Sequence, residues 1–191
     1  MGSNRRAAIH RDKKEREKIL KNKSPQAKLI KAKNKGYEEG KLIATSAFLE
    51  SAVIDFKWTE KKIKEASDFI ATTSMNSRSE VINFVCNIWN KKLVERVQEI
   101  GKEKITLKVD SLEDSIMYEE RNQTYFACCS LVLSAIYSNY GFSTNNKKTG
   151  KLDKLIDRFV IRFYQMMDSP GYYTGEKCMA RVEKITGIKF V

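Results

Sequence analysis

At 191 residues, with 41% hydrophobic and 10% aromatic side chains, the chain can bury one substantial core or two small ones, and it needs neither disulfide nor metal to offset small size. The apolar content argues against disorder, and two prolines argue against a loop-rich β-sandwich or barrel, where turn residues recur every ~8–12 positions. The formal charge of +12 is unevenly placed: residues 4–35 carry thirteen Lys or Arg against Asp12, Glu15 and Glu17, a local balance of +10, and residues 36–191 are nearly neutral.

In chain order, residues 4–22 contain no Gly or Pro and are rich in Lys, Arg, Glu and Ala, which predicts a helix interrupted near Ser24-Pro25. Its apolar residues are few (Ile9, Ile19, Leu20, then Leu29 and Ile30), so it gains little from packing. Asp12–Arg16 and Glu17–Lys21 are spaced to pair along a solvated helix, and residues 1–35 read as a basic arm.

The packed body is expected to begin at Gly36, where Leu42, Ile43, Phe48, Leu49, Ala52, Val53 and Phe56 repeat on one helical face. Thr59 is a candidate N-cap for a second helix carrying Ile63, Ala66 and Ile70, and "SRSE" at 77–80 is a capping-box pattern for a third. The third runs to about Ile100, with Val81, Val85, Ile88, Trp89, Leu93 and Val97 inward and Gly101 as its stop. "KITLKV" at 104–109 alternates like a short strand but has no partner strand, and reads as a connector. "SLED" opens a long helix that ends at Gly141, a polar loop leads to a helix over 151–168, "SPG" at 169–171 turns the chain, and a last helix runs from about Thr174 to Gly187. The expected fold is all-α: a bundle of about six helices behind a basic N-terminal helical arm, divided into 1–35, 36–103 and 104–191.

The two later segments echo each other. At an offset of 83, Ala44 meets Ala127, Phe48 meets Leu131 and "SAVI" at 51–54 meets "SAIY" at 134–137; further on, Ile63 aligns with Leu152, Asp68 with Asp157 and Ile70 with Phe159. A diverged pair of three-helix units explains this, and generic helical periodicity explains part of it.

Sites of chemistry are hard to find. Cys86, Cys128, Cys129 and Cys178 fit no C-x-x-C or zinc spacing and read as buried thiols of a reducing compartment. His10, the only histidine, lies in the charged arm, and "TGKL" at 149–152 lacks both the Gly spacing and the Ser/Thr of a phosphate-binding loop. Carboxylate pairs such as Asp153 with Asp157 and Glu119 with Glu120 read as solvated helix faces, and Phe159, Phe163, Met166 and Met167 as core. No signal peptide or membrane-length apolar run is evident, which leads to the expectation of a soluble, cytoplasmic protein without catalytic residues, metal or cofactor.

Over 151–168, Leu152, Leu155, Ile156, Phe159, Phe163 and Met166 cluster within about 50° of one direction on a helical wheel. Lys151, Lys154, Arg158 and Arg162 gather about 80–160° away on one flank, and Asp153 and Asp157 on the other. With Lys147 and Lys148 this flank is a candidate stripe for phosphates, or an ordinary solvated face.

The segment Leu133 to Phe190 resembles the C-terminal part of small, basic, helical proteins encoded by phages of Gram-positive bacteria. The likeness rests on Tyr140-Gly141-Phe142, Lys147-Lys148, the amphipathic 151–167 helix, Asp168-Ser169 and Gly187-Ile188-Lys189-Phe190. The basic "NRRAAIHRDKKERE" start and "KGYEEG" at 35–40 are similar to that group's N-terminal half, while the loop after Phe142 is longer. The group has no settled activity, so the resemblance implies a phage context and a host-cell cytoplasm rather than a mechanism.

These readings converge on a non-enzymatic protein that binds DNA or RNA electrostatically through Arg5, Arg6, Arg11, Lys13, Lys14, Arg16, Lys18 and Lys21. Lys147, Lys148, Lys151, Lys154, Arg158 and Arg162 form the candidate second contact, with 151–167 as the candidate recognition helix. The alternative is a phage inhibitor or modulator of a host protein or nucleoprotein complex, such as a defence nuclease or RNA polymerase. A membrane surface fits less well, because the arm lacks an inserting apolar face.

Overall fold

The computed structural model describes residues 24–75, 80–100, 109–140, 150–168, 174–187 and 189, and its first described residue is Ser24. Its side-chain hydroxyl accepts from the Ala27 N–H at 3.1 Å, and Pro25 takes the first helical position, where its missing N–H costs nothing. The expected interruption is therefore a helix start. Helix α1, Pro25–Ile54, then runs unbroken through Gly36, so the division at residue 35 falls within a helix, although burial does begin there.

The remaining helices are α2 (Glu60–Met75), α3 (Glu80–Ile100), α4 (Leu112–Tyr140), α5 (Lys151–Asp168) and α6 (Gly175–Thr186). The Thr59 carbonyl accepts from the Ile63 N–H at 3.0 Å, as a residue at the N-cap of α2 must. Thr174 caps α6, and Gly187 ends it in the left-handed region at φ 71°. All of the secondary structure among the described residues is helical, as the apolar periodicity predicts. The arm helix over 4–22, the "SRS" of the capping box, the Val81 and Val85 side chains, Gly101, the connector over 104–108, the 141–149 loop, the 169–171 turn and the ends of the "IKFV" tail lie outside the described residues.

The two long helices, α1 and α4, form the centre and run parallel. Gly36 lies against Met117 and Arg121, and Gly40 against Arg121, Thr124 and Tyr125. A Cβ at either glycine would collide with the α4 backbone at the Met117 or Arg121 carbonyl, so this crossing requires glycine at both places. The residue offset across the crossing, 36 to 121, is close to the 83 that aligns the two halves of the sequence.

Around this pair the other helices exchange partners. α2 and α3 pack on α4, whereas α6 and α5 pack on α1, with α5 also touching α4 and α3. The helices that follow each long helix in the chain thus pack mainly on the other long helix. One apolar cluster spans all six helices, including Phe48, Trp58, Trp89, Leu133, Phe159 and Val182. Of the inward positions expected on α3, Trp89 and Leu93 are buried and Val97 is half-buried, but Ile88 is 42% exposed, since α3 meets the bundle along a narrower strip than the pattern implied.

Candidate functional site

The basic segment has a described end. Lys28, Lys31 and Lys35 recur at helical spacing on one face of α1, and all three are exposed. Lys33 points the other way, toward α4, with Nζ 3.6 Å from Glu120 Oε2. No acid occupies the first turn of α1, so the positive end of the helix dipole adds to these cations. Arg5, Arg6, Arg11, Lys13, Lys14, Arg16, Lys18 and Lys21, together with Lys147 and Lys148, lie outside the described residues.

The stripe on α5 divides in two. Lys151 is half-buried and Lys154 exposed near the helix start, but Arg158 and Arg162 turn inward. Arg158 forks onto Asp55, with Nη2 2.8 Å from Oδ2, Nη2 3.1 Å from Oδ1 and Nε 3.2 Å from Oδ2. Arg162, 4% exposed, pairs with Glu50 and donates from Nη1 to Gln165 Oε1 at 2.8 Å. On the flank that the helical wheel left free, Arg162 is thus enclosed against the buried Glu50 of α1, and Arg158, 25% exposed, is held by the half-buried Asp55.

Glu50 is the centre of that arrangement. It receives Arg162, with Arg158 Nη1 at 3.9 Å and Arg181 Nε at 3.4 Å. Sequence reasoning passed over it, yet its place inside the apolar run "AFLESAV" carried a signal, because a charge in a core stripe must be paired. Burial lowers the Arg162 pKa from its ordinary value, and burial pushes the neighbouring Cys178 thiol up. On the opposite flank of α5, Asp157 accepts from Arg96 Nε of α3 at 3.1 Å, and hydrogen bonding to Glu99 and Asp157 raises the Arg96 pKa.

The other polar groups knit the core. Tyr125 donates to the Phe159 carbonyl at 2.7 Å, Tyr164 donates to the Val97 carbonyl, and burial raises the pKa of both phenols. Burial likewise raises the Cys128 and Cys129 thiols, which disfavours their nucleophilic thiolate form. A groove of about 660 Å³ between α1 and the start of α6 is lined by Lys35, Glu38, Glu39, Lys41 and Glu176, of mixed sign. Among the described residues no three His, Cys, Asp or Glu converge as metal ligands, and no helix is long and apolar enough to cross a membrane.

Comparison with protein-family models, curated proteins and solved structures returns no match for this chain.

Proposed function

We propose that the protein is a non-enzymatic nucleic-acid-binding protein, of phage context by its resemblance, in which residues 4–35 act as one phosphate-binding element anchored by the first turns of α1. The observation that carries the reading is the exposed face of Lys28, Lys31 and Lys35 at an acid-free helix start, directly continuing a segment with nine further cations. Such an element neutralises backbone phosphates and releases counterions, giving affinity with little sequence preference.

The test is binding of random DNA and RNA duplexes across 50–200 mM salt, comparing the full chain with one in which Arg5, Arg6, Arg11, Lys13, Lys14, Arg16, Lys18 and Lys21 are changed to Gln. Six to ten phosphate contacts predict a loss of about 10³-fold or more over that range for the full chain, and a much shallower slope for the variant. A chain beginning at Ser24 serves as a second comparison that keeps the helix cap intact. Absence of binding at low salt sinks the reading. A host protein retained by the chain after nuclease treatment then supports the rival role as a modulator.

A further inference from the structure

The 30 residues of α1 separate its ends by about 45 Å. The end away from the basic segment gathers four pieces of chain: the loop after Asp55, the starts of α2 and α5, and the end of α4. The Arg158–Asp55 fork joins α5 to the α1 terminus, and Trp58 packs on Tyr140 with ring centroids 4.9 Å apart. Lys62 Nζ lies 4.8 Å from the Trp58 ring and 5.5 Å from the Tyr140 ring. Lys57, two residues past Asp55, and Lys154, one turn before Arg158, therefore belong to the same end, with Lys61 and Lys64 on the first turns of α2; all four are exposed.

Of the acids here, Asp55, Asp157 and Asp153 have cations on other helices beside them, whereas Glu60 and Glu65 lie exposed among the α2 lysines. Asp55 is held by Arg158, Asp157 by Arg96, and Asp153 lines a depression on the far flank of α5 together with Lys92 and Arg96. Near the start of α1, by contrast, Lys33 Nζ lies 3.6 Å from Glu120 Oε2 of α4. Among the described residues the end beyond the C-terminus of α1 thus carries more lysines than acids, with Glu60 and Asp153 offsetting part of the positive potential of the first turns of α2 and α5.

We infer that Lys57, Lys61, Lys62, Lys64 and Lys154 form a second phosphate-binding surface, and that one copy of the chain joins two nucleic-acid segments, one at each end of α1. This rests on the nucleic-acid reading above and adds the stoichiometry and geometry of the complex.

The test uses two 12-base-pair duplexes, one carrying a donor dye and one an acceptor; each is about 41 Å long, too short to lie along the full body. With the full chain, energy transfer rises at one chain per two duplexes and falls again when excess protein gives each duplex its own copy. Changing Lys57, Lys61, Lys64 and Lys154 together to Gln lowers the transfer about fivefold or more, while affinity for a single duplex falls by less than about threefold because the arm supplies most contacts. Duplex binding without transfer, transfer unchanged in the variant, or two protein copies per joined pair by sedimentation overturns the inference and leaves the arm reading standing. A chain that binds no duplex at low salt overturns both.

Discussion

Arg162 and Glu50 form an ion pair inside the bundle, with the guanidinium side chain 5% and the carboxylate side chain 1% exposed. This contact joins α5 to α1, and Arg181 of α6 joins it at its rim. It converts what looks on the wheel like a ligand-facing arginine into a structural one.

Glu50→Gln leaves Arg162 buried without its counter-charge. Removing one partner of a buried pair costs about 3–5 kcal/mol, so the urea midpoint should fall markedly. Glu50→Gln combined with Arg162→Met should recover much of that loss, which equilibrium denaturation of the single and double variants measures directly. Equal instability of both variants would contradict the pairing.

Arg121 behaves differently. It is fully buried on α4 against the Tyr118 ring, its Nη2 reaches the Met166 carbonyl only at 3.4 Å, and Glu39 is 4.0 Å from Nη1. Its Nε and Nη1 have no hydrogen-bond partner among the described residues, so the group carries a desolvation cost with weak return. Arg121→Met, which keeps the stem's volume, should leave stability unchanged or raise it by about 1–2 kcal/mol, and Arg121→Ala should lower it through the cavity. Thermal melts of the two variants separate these outcomes.

Gly40→Ala improves helix propensity by about 1 kcal/mol yet should destabilise the protein, because the new methyl meets the Arg121 carbonyl. A net loss of about 1–3 kcal/mol in denaturant titration is expected. Gly187→Ala tests a different cause, the left-handed C-cap of α6, and should cost about 1 kcal/mol with no steric collision.

Stability should decline on the alkaline side. Burial raises the Cys128, Cys129 and Cys178 thiols and the Tyr125 phenol above their ordinary values, so the folded state retains protons that the unfolded state releases. The stabilisation is whole below the unfolded thiol pKa of about 8.5 and is lost as pH rises toward the folded values, by at most ~1.4 kcal/mol per pH unit per group. Urea midpoints at pH 8, 9 and 10 check the direction, and Cys129→Ala should flatten the slope. A profile that stays level to pH 10 speaks against the burial of these groups.

Much of the fold was legible because local rules agree: Pro25 after Ser24, Thr174 before an amphipathic run and Gly187 after it all act where the chain places them. On the expected α5 face Leu152, Leu155, Ile156, Phe159 and Met166 are buried and Phe163 is half-buried against the core. The candidate site was legible only in charge. The wheel located the α5 cations, but nothing in their spacing distinguishes Lys154, which faces solvent, from Arg162, which faces Glu50.

By itself the sequence determined the helices, their caps and the concentration of charge in residues 4–35, since each depends on backbone stereochemistry and composition within a turn or two. Which helix covers which was decided only by the tertiary structure. The exchange of α2–α3 and α5–α6 between the long helices follows from Gly36 and Gly40 admitting the α4 backbone and from Glu50 requiring cations that come from α5 and α6. Close approach and charge compensation act between residues far apart in the chain, and so no periodicity records them.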